Sequence, residues 1–130
     1  MKIDYAARAR ALVGTRFRAQ GRGEGGLDCV GVILTTFDVP RDLVRHDYTL
    51  RGDYLPEIRK TLHEHFRSIQ KDQARAGDVM LLQAGERQFH LAVRTEQGFV
   101  HAHATIRRTV ETPGEPSWPL LGVYRKRRSR

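Results

Sequence analysis

Apolar and polar positions along the chain follow two periods, one of helices and one of strands, separated by stretches with neither. Tyr5–Val13 is rich in Ala and Arg, with Asp4 placed to cap its start and Gly14 to end it, which predicts a first helix. Residues 14–27 then hold Gly14, Gly21, Gly23, Gly25 and Gly26 and read as a loop. From Cys29 to Phe37 the run Cys-Val-Gly-Val-Ile-Leu-Thr-Thr-Phe is apolar on nearly every side. With Asp28 at its N-cap it reads as a buried helix, although its β-branched content also suits a strand. Residues 38–53, polar and containing Pro40, read as a second loop. Pro56 suits a first helical turn, and Ile58, Leu62 and Phe66 give a stripe of spacing four. Beyond Gly77 the period falls to two, predicting strands over 78–83, 88–95 and 99–104, with Gly85 and Gly98 at the turns. Leu120–Lys126 reads as a last strand. Helices first and an antiparallel meander after them is the α+β pattern.

Composition narrows the class. A chain of 130 residues, 39% hydrophobic and 29% charged, suits one globular domain with a core of its own. No apolar run approaches the roughly 20 residues of a membrane span, so no membrane insertion is expected. Met1-Lys2-Ile3-Asp4-Tyr5 lacks the apolar stretch of a secretory signal, which implies synthesis in the cytoplasm without one. A single cysteine allows neither an internal disulfide nor a four-cysteine zinc site. The net charge is +8, but 125–130 (Arg-Lys-Arg-Arg-Ser-Arg) carries five of those charges and leaves +3 on the other 124 residues. The chain therefore reads as a domain over 1–124 with a solvated basic tail over 125–130. A nucleic-acid reader would spread cations and stacking aromatics over a folded face, so no specific nucleic-acid partner is expected.

Cys29 is the first candidate for chemistry. At the first turn of a helix capped by Asp28 it would meet unpaired N–H groups, which favour a thiolate and a neighbouring oxyanion. A small buried hydrophobe is the plainer role for a lone cysteine. The histidines add weight. His101 and His103 share one face of a strand, and His90 joins that face if the hairpin loop near Glu96-Gln97 has an even number of residues. One imidazole could then act as base while another orients it.

Other signals carry less. His101-x-His103 with His90 could supply three nitrogens to zinc, but nothing in the sequence marks a catalytic metal water. Gly21-Arg22-Gly23-Glu24-Gly25-Gly26 matches a dinucleotide glycine pattern without the preceding strand or βαβ repeat that gives it meaning. His63 and His65 read as solvent-facing on different sides of a helix, and His46 falls in a loop.

Taken together, these stretches resemble the NlpC/P60 family of cysteine peptidases, particularly its short phage-type cell-wall hydrolases. The likeness runs from Leu12-Val13-Gly14-Thr15-Arg16-Phe17-Arg18-Ala19-Gln20-Gly21 into Gly26-Leu27-Asp28-Cys29-Val30-Gly31, similar to the Asp-Cys-x-Gly nucleophile motif. It continues through Ala76-Gly77-Asp78-Val79-Met80-Leu81, His90-Leu91-Ala92-Val93 and Phe99-Val100-His101-Ala102, and ends with Trp118 and Leu121-Gly122-Val123-Tyr124-Arg125. Phe17 stands where many members have Tyr, and Val30 where many have Ser.

The resemblance implies a papain-like α+β fold and hydrolysis of peptide bonds in peptidoglycan stems, frequently the bond from D-glutamate to diaminopimelate. It makes Cys29 the nucleophile, His90 the general base and then acid, and His101 the residue orienting His90, with His103 in reserve. Phe17, Gln20 and Asp28 would border the substrate and the oxyanion. No metal or organic cofactor is required. Stem peptides are the expected partner, and a phage-like tail hub or baseplate is a further one. The protein would then ride on a virion or tail and act in the periplasm or cell wall. The competing readings are a tail assembly component with little or no hydrolase activity and a basic nucleic-acid module.

Overall fold

The computed structural model describes residues 3–18, 21–23, 26–40 and 55–127. Gln20, His46 and most of the loop read over 38–53 lie outside them. Helix α1 (Tyr5–Arg10) starts where Asp4 accepts a hydrogen bond from the Ala7 amide, and it ends sooner than expected, in turns over 11–14. A short hairpin follows, β1 (Arg22–Gly23) with β2 (Gly26–Leu27), and leads directly into α2 (Cys29–Thr36). The apolar run is thus helical and not a strand. All of α2 except Thr35 is buried, as a helix with no polar face requires.

Helix α3 (Leu55–His65) buries Leu62, but the expected stripe stops there, because Phe66 opens a strand, β3 (Phe66–Ile69). The other strands are β4 (Val79–Gly85), β5 (Gln88–Arg94), β6 (Gly98–His103), β7 (Arg108–Pro113) and β8 (Leu120–Lys126). They form one six-stranded antiparallel sheet in the order β3-β8-β4-β5-β6-β7. The expected meander is present in β4–β6, β7 adds a strand the sequence reading did not foresee, and β8 returns to fill the place between β3 and β4.

Helix α2 covers one face of the sheet, packing on β5 and β6. That face supplies Val79, Leu81, Leu91, Val93, Val100 and Ala102 to the main core. Each buried aliphatic side chain contributes about 1.5–3 kcal/mol, so the covered face dominates stability. The opposite face carries a smaller cluster of Met80, Leu82, Ala92 and Phe99 against Trp118 and Leu120. Strand alternation places His90, His101 and His103 on this second face.

Arg125 and Lys126 belong to β8, which corrects the boundary drawn at 124/125. The Arg125 guanidinium grips the buried Asp78 carboxylate with two bonds of 2.8 Å, tying β8 to the entry of β4. Such a forked pair holds direction as well as charge. What looked like a solvated run of cations is in part a sheet strand. Among the described residues, no helix is long and apolar enough to cross a membrane.

Candidate active site

Asp28 caps α2 through a 2.8 Å bond from the Gly31 amide to its Oδ1, and this fixes Cys29 as the first helical residue. Gly31 has its own reason to be glycine. A Cβ there would collide with the carbonyl oxygen of Gly21, so the helix start and the glycine loop approach as backbone on backbone. The Asp-Cys-x-Gly spacing therefore locks the cysteine to the loop in front of it. Phe17, bridged to Leu27 and packed against the core, helps hold that loop.

The Cys29 thiol is buried, and its pKa is pushed up to about 12, first by burial and then by the Asp28 carboxylate. The backbone amides of Leu91, Val30 and Cys29 itself pull in the other direction without overcoming this. The expectation that the helix N-terminus alone would favour a thiolate is thus corrected, because desolvation outweighs the dipole. The Leu91 contact matters for a second reason: it brings the thiol beside the residue that follows His90.

Strands β5 and β6 pair at Val93–Val100 and Arg94–Phe99, leaving four residues in the loop. The count is even, so the three histidines share a face. His90 Nε2 lies 2.8 Å from His101 Nδ1, and His101 Nε2 lies 3.0 Å from the hydroxyl of Thr112 on β7. His90 is thereby joined to His101, while His103 does different work: its Nδ1 accepts from the Ile106 amide and closes the β6–β7 turn. Burial, reinforced by the neighbouring histidines, lowers His90 to about 3 and His101 to about 4. Trp118 sets its ring edge-on to both, with centroids 5.2 Å from His90 and 6.0 Å from His101.

The described residues show no hydrogen bond between the Cys29 thiol and His90. The Nε2 of His90 is engaged with His101, so Nδ1 is the nitrogen it can offer to a thiol. At rest, burial keeps the thiol and both imidazoles in their neutral forms. No grouping of three or more His, Cys, Asp or Glu side chains suited to a metal ion occurs among the described residues. His63 is exposed with its ring against Tyr124, and His65 is partly buried rather than open to solvent. Sequence reading passed over Thr112, whose strand it did not recognise, and noticed Trp118 without seeing where it stood.

Comparison with known proteins bears on the family and the fold. The NlpC/P60 family profile matches residues 14–120. A murein DD-endopeptidase/murein LD-carboxypeptidase of Escherichia coli, MepS, is 28% identical over 106 residues, covering 81% of this chain and 51% of the relative. The chain therefore spans about half the length of that curated relative. Among solved structures, NlpC1 from Trichomonas vaginalis superposes with a TM-score of 0.68 at 16% identity, covering 94% of this chain and 42% of the other. The peptidoglycan hydrolase RipB from Mycobacterium tuberculosis gives a TM-score of 0.59 at 17% identity, with 95% and 62% covered. At these identities the structural likeness speaks for the fold.

Proposed function

The chain belongs to the NlpC/P60 family, and from that premise we propose that it is a cysteine peptidase cutting amide bonds in peptidoglycan stem peptides. Cys29 is the nucleophile, His90 the base and acid, and His101 the residue that orients His90. The observation that carries this reading is the 2.8 Å bond between His90 Nε2 and His101 Nδ1, on the strand whose Leu91 amide adjoins the thiol.

The protonation states shape the mechanism. With the thiol raised and the imidazole lowered, the proton rests on sulfur, so transfer to His90 Nδ1 accompanies attack. The sulfur adds to the carbonyl carbon, and the amides at the start of α2 face the developing oxyanion. His90 then gives its proton to the leaving amine as the C–N bond breaks, which leaves a thioester on Cys29. Water, losing a proton to His90, attacks that thioester. The acid departs and the thiol regains its proton.

We assign the bond from D-glutamate to diaminopimelate as the target. The Escherichia coli relative is named for DD-endopeptidase and LD-carboxypeptidase activities, so the site of cleavage must be read from products. Digestion of purified peptidoglycan by the wild type, Cys29→Ala and His90→Ala, with fragments identified by mass, tests both statements. Fragments from the wild type alone support the thiol mechanism, and equal release by all three overturns it. Products cut elsewhere in the stem move the bond assignment without touching the mechanism. The Escherichia coli relative is named for murein and RipB for peptidoglycan, which supports the cell wall as the place of action.

A further inference from the structure

Arg16 and Arg108 oppose each other across an isolated antiparallel bridge. The flanking bonds, Thr109 amide to Thr15 carbonyl at 2.8 Å and Phe17 amide to Arg107 carbonyl at 3.0 Å, make this the non-hydrogen-bonded kind of pair. Such pairs bring Cα atoms to about 4.5 Å and side chains closest together. Like charges at directly opposed positions destabilise a sheet. Both arginines are exposed, and among the described residues neither has an acidic partner. By contrast Arg10, Arg94 and Arg125 are all matched with carboxylates.

Their placement is also directional. Arg108 opposes His103, and Arg16 opposes Arg108, so all three share a face with His101 and its partner His90. With adjacent strands about 4.8 Å apart and about 3.4 Å per residue along a strand, Arg108 and Arg16 stand about 8 and 12 Å from His101. An extended peptide covers that distance in about two to four residues.

We propose that Arg16 and Arg108 form a subsite for a free carboxylate of the substrate peptide, remote from the amide that is cut. Paired guanidinium forks are suited to a planar carboxylate, which also relieves their mutual repulsion. The inference rests on the peptidase reading for its substrate. It adds that the enzyme selects stems by an acidic group held away from the reacting carbonyl, across the β6–β7 edge.

The test uses one soluble stem tetrapeptide in two forms, with its carboxylates free and with them amidated. Replacing both arginines (R16Q/R108Q) should raise KM for the free acid about tenfold or more while kcat stays within about twofold. KM for the amidated form should change by less than about twofold, because it lacks the group. An unchanged KM for the free acid, or an equal rise for both forms, overturns the subsite. So does a variant that loses heparin binding while keeping its peptide KM, since that describes a general polyanion patch. Titration of the Cys29→Ala protein with both peptides keeps the two readings separate. A binding preference for the free acid that R16Q/R108Q abolishes, in a background where the wild type cleaves nothing, retains the subsite and rejects the peptidase. Absence of that preference rejects the subsite whatever the wild type cleaves.

Discussion

The Nε2 of His90 stands 2.8 Å from the Nδ1 of His101. Both rings are held neutral, so each carries one proton, and the bond couples their tautomers. For His90 to accept a proton at Nδ1 its own proton must sit on Nε2 and point at His101. Loss of His101 removes that constraint, and loss of His103 does not. His101→Ala should lower kcat on peptidoglycan fragments by about a hundredfold, within the usual span for acid–base groups. His103→Ala should cost less than about threefold in kcat. The reverse order would make His103 the orienting residue.

Thr112 extends the same chain. If His101 accepts from His90 at Nδ1, its proton is on Nε2 and is donated to the Thr112 hydroxyl at 3.0 Å. Thr112→Val keeps the shape and removes the acceptor. Its kcat should fall about tenfold with KM little changed, and Thr112→Ser should recover most of the loss. A valine variant as active as the wild type would reduce Thr112 to a packing role.

Stability should follow the buried imidazoles. The His90 pKa is depressed to about 3 in the folded state and returns to about 6.5 on unfolding. Between those values the unfolded chain binds more protons, so stability is full above about pH 6.5 and declines as pH falls toward 3. At pH 5 the loss from this one group is about 2 kcal/mol. Thermal melts of the wild type should therefore drop between pH 7 and pH 5, and His90→Gln should flatten that part of the curve. Parallel curves for the two proteins would show that the ring is solvated when folded.

The difference between what the sequence announces and what it hides has physical causes. The helix bearing Cys29 announces itself because nine successive residues leave no polar face, and the cap at Asp28 fixes where it starts. The shared face of the histidines follows from alternation plus the parity of one loop. Strand β7, Arg-Thr-Val-Glu-Thr-Pro, hides because most of its side chains are polar, although Thr109 is wholly buried. Strand β3 hides because Phe66 continues the spacing of the helix before it. The raised thiol is hidden for another reason, since burial of Cys29 depends on how α2 seats against β5, which no local pattern encodes.

Asp78 and Arg125 offer a test of the strand that seemed a tail. The carboxylate is almost fully buried, accepts two bonds from Arg125 and a third from the Arg75 amide at 2.9 Å. Removing the cation alone strands a buried charge. Arg125→Leu should destabilise by about 3 kcal/mol, while the double replacement with Asp78→Leu should recover a substantial part of it. Denaturant unfolding of the four proteins measures the coupling. Additive losses would mean that the pair is solvated and that β8 is held by its ladder and by Tyr124.

Gly31 gives the sharpest contrast with propensity. An exposed helical glycine gains up to about 1 kcal/mol on replacement by alanine. Here the new Cβ would run into the Gly21 carbonyl, which cannot yield without moving the loop in front of Cys29. Gly31→Ala should therefore lower the melting temperature and reduce activity together, because the same displacement tilts the start of α2. Gly85→Ala is the matched control: its Cβ would meet only the Gln88 side chain at ordinary contact distances of 3.5 and 3.7 Å. It should melt within about a degree of the wild type, in keeping with a shift under 0.5 kcal/mol. A Gly31→Ala protein as stable and active as that control would show that the loop is free to retreat, and that the glycine of the motif is not what seats Cys29.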